Sequence, residues 1–291
     1  MNKKLLSIIL FTQLFSMIHA QKLVSPLFKN GDNVCFIGNS ITNNGEFYNF
    51  IYLYYATRFP EEKLRFFNCG ISGDVSAGVL KRMDSDILVH KPAWSVLMIG
   101  MNDVKRNLYT SSTSADPATE KLRQQALDKY KKDSESIVKI LKQNSKVILQ
   151  KPTIYDQTGA LKAENNKGVN EALKLYGDHM QSLSSKYQTK LVDYWNIMSK
   201  TNKDLQEKDS TETVVGPDRV HPGVPGHFLM AYQFLKETGS PKYVSKIVIH
   251  SNAAQSKKES VNCEIQSQTV ATDTISFKCL EYSLPFPVRE D

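Results

Sequence analysis

The stretch CFIGNSITNNGEF (Cys35–Phe47) begins as an apolar run, leaves it at Gly38, and places Asn39 and Ser40 before an amphipathic pattern. A short apolar run that passes through a small residue into a helical pattern is typical of a strand–turn–helix unit. The serine at this turn has two interpretations. It caps the helix that follows, or its hydroxyl takes part in chemistry. These residues alone favour the cap.

The same alternation of strand and helix continues along the chain. Five apolar runs predict strands: NVCFIG (33–38), LRFFNCG (64–70), WSVLMIG (94–100), KVILQKP (146–152) and KLVDYW (190–195). Helical patterns follow at 47–55, 119–143, 169–187 and from Pro225 to Gly239. Several strands are apolar on both faces, as strands covered by helices on two sides should be. The pattern therefore predicts an α/β fold with a five-stranded parallel sheet between two helical layers.

The turns after the first three strands carry the polar and small residues of interest. In a parallel sheet, ligands bind beyond the carboxyl ends of the strands. Ser40, 70–73 and 100–103 all follow a predicted strand directly, so we expect them to meet at one sheet edge. The polar segments 105–119 and 196–216 are expected at the same edge, beside a substrate cleft. This convergence moves the interpretation of Ser40 from a cap toward a nucleophile.

A serine nucleophile needs a base, and a second group must orient that base. Of the six histidines, His221 lies in GPDRVHPGVPG, three residues after Asp218. One turn at this spacing can bring the carboxylate to the imidazole, and the neighbouring prolines restrict the backbone. Taken alone, the segment is equally consistent with a surface loop whose Asp and His cap a helix.

The nucleophile also needs hydrogen-bond donors for the oxyanion that forms during the reaction. The backbone N–H of Ser40 is one candidate. Gly73 in NCGISGD offers an N–H that no side chain shields, and Asn102 in IGMND offers a side-chain amide. Each also has an ordinary explanation, as a turn glycine or an Asx-turn residue.

Taken together, four blocks carry a resemblance: GNSIT, NCGISGDVSAG, GMND and DRVH resemble the motifs of the SGNH (GDSL-type) hydrolases. The resemblance covers Asn33 to about Gly239 and implies a flavodoxin-like three-layer α/β/α sandwich. It implies that Ser40 is the nucleophile, that His221 is the general base and acid, and that Asp218 is the partner of His221. It also implies that Gly73 and Asn102 are oxyanion donors beside the Ser40 amide. The G-x-S-x-G elbow of the α/β-hydrolases is absent, which argues against that competing fold.

One residue departs from the family pattern. Asn39 stands where the family name has aspartate, so a negative charge beside the nucleophile is missing. The residue does not belong to the implied triad, and the implied mechanism is therefore unchanged. We expect Ser40 to lie exposed at the sheet edge and to cap the helix as well.

The two ends of the chain differ from the central domain, which we assign to 21–242. Lys3 and Lys4 precede the apolar run 5–18, and Ala20 provides a small residue for cleavage, so 1–20 is expected to be a signal peptide. This predicts an exported, soluble protein, periplasmic or secreted; an uncleaved anchor is the alternative. Residues 243–291 are expected to form a small β-rich appendage, with a partly disordered tail as the alternative.

Charge and cysteine content narrow the classes further. The net charge is +7, or 7 − 2 = +5 without the two terminal lysines, and the lysines are scattered among acidic residues, which does not indicate a nucleic-acid site. In an oxidising compartment, Cys263 and Cys279 could close a short loop as a disulfide. Cys35 and Cys69 lie in apolar strands, where burial as free thiols is at least as consistent with the sequence.

These observations predict an exported serine esterase that needs no metal and no cofactor. Its expected partner is a small-molecule or glycan ester; stable membrane insertion is not expected, and the sequence leaves the oligomeric state open. A carbohydrate O-acetyl esterase fits export and family best. A lipase, lysophospholipase or aryl esterase with the same triad is the alternative, with Tyr48 or Tyr109 lining an acyl site. A non-catalytic carbohydrate-binding relative is a further alternative. Lys105 and Arg106 could meet a uronate carboxylate or simply be solvated loop charges.

Overall fold

The computed structural model describes residues 25–112, 116–249 and 259–285. These residues form two compact units, one made of 25–244 with 282–285 and the other of 245–249 with 259–281. The predicted signal peptide lies outside the described residues and stays a prediction.

The larger unit is built on a five-stranded sheet whose strands are all parallel. The strands are β1 (Asn33–Gly38), β2 (Arg65–Gly70), β3 (Trp94–Met98), β4 (Lys146–Gln150) and β5 (Lys190–Val192). Their order is β2-β1-β3-β4-β5, so the direction of chain travel reverses between β1 and β3. Ligands bind outside this reversal point in open α/β sheets. The predicted fold class is confirmed.

Seven α-helices of the larger unit accompany the sheet: α1 (Ser40–Asn44), α2 (Glu46–Arg58), α3 (Ser76–Lys81), α4 (Pro117–Asn144), α5 (Val169–Tyr187), α6 (Tyr194–Gln206) and α7 (Val224–Glu237). Short π and 3-10 turns occupy Met83–Ile87, Leu88–His90 and Arg106–Tyr109.

The core lies on both faces of the sheet, which explains why the strands are apolar throughout. Cys35 and Ile37 point to one face and pack with α3, α4 and α5, whereas Val34 and Phe36 point to the other and pack with α2, α6 and α7. Successive residues of a strand face opposite sides, so each strand contributes to both clusters. The rigid sheet between two packed layers fixes the loops at its carboxyl edge.

Several elements differ from the sequence prediction. The fifth strand ends at Val192, and α6 begins inside the segment predicted as strand, because the Asp193 carboxylate caps the helix by accepting from the Asn196 N–H at 2.9 Å. Consequently the polar segment 196–216 is helical as far as Gln206. Helix α3 was not predicted because six residues are too few to show a helical period.

The smaller unit consists of two antiparallel pairs, which confirms the predicted C-terminal β structure. Strand β6 (Lys246–Val248) pairs with β7 (Glu259–Val261), and β8 (Cys263–Val270) pairs with β9 (Ile275–Glu281). Within the described ranges, no helix combines the length and apolar character needed to cross a bilayer.

The sulfurs of Cys263 and Cys279 are not joined, so the disulfide that the sequence left possible is not formed in the structure. The strand register places Cys263 opposite Glu281 and Cys279 opposite Ile265, which makes the two cysteines diagonal neighbours. Diagonal Cα atoms lie about 7–8 Å apart, whereas a relaxed disulfide needs about 4.4–6.8 Å. The two sulfurs and the Glu281 carboxylate lie within 4.8 Å of one another, close enough that these three groups could hold a metal ion.

Candidate active site

Ser40 lies at the exit from β1. It is the first residue of α1 rather than the cap of that helix. The cap is Asn39, whose side-chain oxygen accepts from the Ile41 N–H at 3.1 Å. Asn39 is buried, so the capping role that the sequence suggested for Ser40 belongs to its neighbour. Gly38 makes the tight exit possible, because a Cβ there would lie 2.6 Å from the carbonyl oxygen of Met98. The Ser40 hydroxyl is thus free for another partner.

That partner is His221. The Ser40 hydroxyl lies 2.7 Å from Nε2 of His221, and Nδ1 of the same ring lies 2.5 Å from Oδ2 of Asp218. The other carboxylate oxygen of Asp218 accepts from the backbone N–H groups of Val220 and His221, each at 3.0 Å. The structure therefore brings three of the predicted site residues into one hydrogen-bonded line.

The ionisation state of Asp218 determines the direction of these bonds. Burial raises the pKa of Asp218, but the hydrogen bonds from the His221 ring and from the backbone outweigh it, and the net pKa is lowered. An ionised carboxylate only accepts hydrogen bonds, so Nδ1 of His221 must carry the proton. In the neutral ring, Nε2 is then the acceptor for the Ser40 hydroxyl. This is the arrangement that a general base requires.

The two predicted oxyanion donors are joined through one residue. Gly73 has a φ of +80°, and its turn is closed by a bond from the Asp74 N–H to the Ile71 carbonyl at 3.1 Å. No partner within the described chain occupies the Gly73 N–H. One N–H of the Asn102 amide donates to the carbonyl of Asp74 at 3.0 Å, which leaves the second N–H available. The predicted roles of Gly73 and Asn102 as donors stay predictions.

Sequence reasoning missed the ion pair behind this turn. Nε of Arg82 lies 2.8 Å from Oδ2 of Asp74, and both side chains are largely buried. The same guanidinium donates to the carbonyl of Cys69 at 2.8 Å and to that of Gly38 at 3.4 Å. Arg82 thus links the ends of β1 and β2 to the turn that carries Gly73. The signal was present as an acidic and a basic residue at opposite ends of α3.

A polar cleft of about 570 Å³ opens beside Asn102, Asp218 and His221. It is lined by Asn102, Lys105, Arg106, Asn107, Thr110, Tyr155, Glu164, Asn166, Asp218, Val220 and His221. The predicted segment 105–119 contributes to this lining, whereas 196–216 does not. Neither Lys105 nor Arg106 forms an ion pair with any described residue.

The two tyrosines suggested for an acyl site lie elsewhere. Tyr48 is buried in the core, where its ring stacks on Phe36 with centroids 4.9 Å apart. The ring of Tyr109 lies under the Arg123 guanidinium, 4.1 Å from its carbon. Neither tyrosine is among the residues that line the cleft.

Comparison with known proteins identifies the family. Residues 36–229 match the model of the GDSL-like lipase/acylhydrolase family, which is more than half of the chain. The chain belongs to this family. The predicted family and the predicted enzyme class are confirmed: the protein is an ester hydrolase.

Two relatives of this GDSL-family chain are informative. An acetylxylan esterase from Geobacillus stearothermophilus is 26% identical over 225 residues, covering 72% of this chain and 95% of the relative. A crystal structure of that enzyme superposes with a TM-score of 0.58, covering 74% of this chain and 99% of that one. A gut microbial diltiazem-metabolizing enzyme is 33% identical with a TM-score of 0.76 and covers 91% of this chain. The present chain spans 59% of the length of that enzyme.

Proposed function

We propose that this esterase uses Ser40 as nucleophile, His221 as general base and acid, and Asp218 as the partner of the histidine, and that it removes O-acetyl groups from carbohydrates. The observation that carries the proposal is the continuous hydrogen-bonded line from the Ser40 hydroxyl through His221 to Asp218. Two solved variants of the Geobacillus esterase, one altered at a serine and one at an aspartate, are described as catalytic mutants.

The chemistry follows from the positions of the protons. Ser40 Oγ attacks the ester carbonyl carbon while its proton passes to Nε2 of His221. The oxyanion of the tetrahedral intermediate accepts hydrogen bonds from the Gly73 and Ser40 amides and the free N–H of Asn102. His221 then protonates the departing alcohol oxygen. Water, deprotonated by His221, attacks the acyl-Ser40 carbonyl, and acetate leaves as Ser40 regains its proton.

The cleft favours a polar alcohol over a long acyl chain. Its lining is mainly amides and charged groups, and Val220 is its single aliphatic side chain in the described ranges. A fatty acyl chain is bound by continuous apolar surface, because burying each methylene contributes about 0.8 kcal/mol. A sugar instead presents hydroxyls that amide and carboxylate groups can pair. The acetylxylan esterase relative agrees with this choice.

The test compares p-nitrophenyl acetate, butyrate and octanoate, followed by acetate release from acetylated xylo-oligosaccharides. We expect turnover to be greatest with acetate and to disappear in Ser40→Ala. Ser185→Ala, at an exposed serine of α5, is the matched control and should behave as wild type. Octanoate preference would contradict the carbohydrate assignment, and turnover that survives Ser40→Ala would contradict the nucleophile.

A second candidate substrate class follows from the structural relative with the larger coverage. The diltiazem-metabolizing enzyme aligns with 91% of this chain, more than the acetylxylan esterase does. Diltiazem is an acetyl ester, so the same triad could remove its acetyl group. Measuring kcat/KM on diltiazem beside acetylated xylo-oligosaccharides distinguishes the two: the higher value identifies the class for which the cleft is shaped.

We also propose that the protein is exported. Lys3 and Lys4, the apolar run 5–18 and Ala20 support this proposal. The mature protein isolated from cells is expected to begin at Gln21, which its intact mass would reveal. A mass that retains Met1–Ala20 would contradict cleavage.

A further inference from the structure

Arg219 has an unusual backbone conformation between the proposed base and its partner. Its φ is +68°, in the left-handed region that side chains other than glycine rarely adopt. Its side chain is turned inward, and only 3% of the residue is exposed. A strained residue at a functional site persists only where its surroundings hold it in place.

The surroundings in this case are backbone carbonyls. Nε of Arg219 donates to Ala163 at 2.9 Å, Nη1 to Asp156 at 2.9 Å and Gly159 at 3.1 Å, and Nη2 to Leu161 at 2.9 Å. In return, the carbonyl of Arg219 accepts from the Asp156 N–H at 2.9 Å. No carboxylate of the described residues forms an ion pair with this guanidinium.

The bound carbonyls belong to a connection without regular secondary structure, 151–168. The same connection contributes Tyr155, Glu164 and Asn166 to the cleft. Tyr155 ties it together, since its hydroxyl donates to the Glu164 carbonyl at 3.0 Å and accepts from the Asn166 N–H at 2.9 Å. The Arg219 guanidinium therefore binds four carbonyls of the connection that forms one wall of the cleft.

We infer that Arg219 is a positioning residue that holds the Asp218–His221 turn and the 151–168 wall of the cleft in register with each other. This inference rests on the proposed function. The side chain is too buried to contact substrate, so it acts through the residues it holds. Through its backbone, Arg219 sets the position of His221 relative to Ser40. Through its side chain, it sets where Tyr155, Glu164 and Asn166 meet the alcohol portion of the ester.

Substituting glycine or lysine for Arg219 distinguishes the effect of the backbone conformation from the effect of the guanidinium hydrogen bonds. Arg219→Gly accepts a positive φ without strain and can keep the backbone bond from Asp156, but it removes every side-chain bond to the wall. Arg219→Lys keeps the charge but lacks the planar fork that reaches several carbonyls at once. Arg58→Lys is the matched control, because the Arg58 guanidinium also donates to a distant carbonyl, that of Leu284, and is outside the cleft lining.

The measurement is kcat and KM on p-nitrophenyl acetate and on an acetylated xylo-oligosaccharide, with thermal melting recorded for each variant. For Arg219→Gly we expect kcat to fall by about 10²-fold on both esters, as for a misplaced catalytic group. We expect KM to rise only on the larger ester, which reaches the wall. Added guanidinium ion should restore part of the activity of Arg219→Gly, whereas Arg58→Lys should keep wild-type kinetics.

A loss of stability alone would not produce this split between the two esters. Arg219→Gly that melts cooperatively and keeps kcat on p-nitrophenyl acetate within about twofold of wild type would overturn the inference. If Arg219→Gly does not fold, Arg219→Lys is judged by the same criterion. Turnover that survives Ser40→Ala would overturn the proposed function as well, whereas Ser40-dependent turnover indifferent to Arg219 would overturn this inference alone.

Discussion

The hydroxyl of Ser40 lies 2.7 Å from Nε2 of His221 although 181 residues separate them in the chain. Ser40 follows β1, and His221 precedes α7, which packs on the same face of the sheet as α2. The contact between Ser40 and His221 therefore depends on the packing of the whole larger unit. Mutations should first probe the orientation of His221.

Replacing the carboxylate behind His221 tests that orientation. In Asp218→Asn, the new amide can donate to Nδ1, which favours the tautomer that places the proton on Nε2, where it cannot accept from Ser40. We expect kcat to fall by about 10³–10⁴-fold with little change in KM. The measurement is steady-state hydrolysis of p-nitrophenyl acetate across pH.

Asp209→Asn is the control for this substitution. The Asp209 carboxylate also accepts from a backbone N–H in a turn, that of Thr211, but no histidine of the described ranges is its partner. It should leave kcat unchanged. An equal loss in both variants would show that the effect is one of turn structure and would remove Asp218 from the mechanism.

The Asn102 amide offers a second test, this time of the oxyanion. One of its N–H groups is committed to the Asp74 carbonyl, so the other is the candidate donor. We expect Asn102→Ala to lower kcat by about 10²–10³-fold while KM changes little, because the bond forms fully only in the transition state. Asn144→Ala removes a comparable amide-to-carbonyl bond, to Ile140, and should leave kcat unaffected. A rise in KM at constant kcat would assign Asn102 to substrate binding instead.

The ion pair between Asp74 and Arg82 can be disturbed without touching either residue. A Cβ at Gly78 would lie 1.8 Å from Oδ1 of Asp74, so Gly78→Ala must displace the carboxylate. Because Asp74 also carries the carbonyl that holds Asn102, we expect both the melting temperature and kcat to fall. Alanine would otherwise stabilise a helix by about 1 kcal/mol relative to glycine.

The control for that substitution is another helical glycine. At Gly177 in α5 the nearest atom to a new Cβ is the Lys151 side chain at 3.4 Å, an ordinary contact. Gly177→Ala should therefore keep full activity and equal or higher stability. Unchanged kcat in Gly78→Ala would show that the Asp74 carboxylate is not needed to place Asn102.

The sequence predicted the sheet and its functional edge because both rest on local patterns. Gly38 and Gly70 are the last residues of β1 and β2, Gly100 lies two residues past the end of β3, and parallel strands place these ends at one edge. The Asp218–His221 spacing is likewise a local signal, since one turn forms the contact. These features needed no knowledge of distant packing.

The features that the sequence did not reveal depend on tertiary contacts. Arg219 reads as one more charge in a loop, and its four carbonyl partners lie 56 to 63 residues away in the chain. The composition of KLVDYW is that of a strand throughout, but the Asp193 cap starts a helix within it. A Cys263–Cys279 disulfide was left possible because the compartment is expected to be oxidising and the segment between the two cysteines is short, whereas the hairpin register makes the pair diagonal.

His227 provides a prediction about pH and stability. The residue is fully buried, its ring stacks on Phe47 at an interplanar angle of 4°, and Nδ1 has no hydrogen-bond partner among the described residues. Burial, with a smaller contribution from His221, lowers the pKa of His227 from 6.5 to about 4. Between these values the unfolded chain binds a proton that the folded protein does not.

The sign of the effect follows from that difference in bound protons. As pH falls from 6.5 toward 4, protonation favours the unfolded chain, so the free energy of unfolding should decrease by up to about 1.4 kcal/mol per pH unit from this residue. Above pH 6.5 both states are neutral at His227 and the contribution is flat. His179, whose pKa is also lowered by burial, adds to the same slope.

Comparing wild type with His227→Phe isolates the one contribution. Phenylalanine preserves the stacking on Phe47 but cannot titrate. The free energy of unfolding of His227→Phe should therefore vary less with pH between 4 and 6.5 than that of wild type. Urea unfolding at several pH values in this window gives both slopes, and the contributions of His179 and the carboxylates cancel in the difference. Identical slopes would mean that His227 takes up its proton in the folded state as readily as in the unfolded chain.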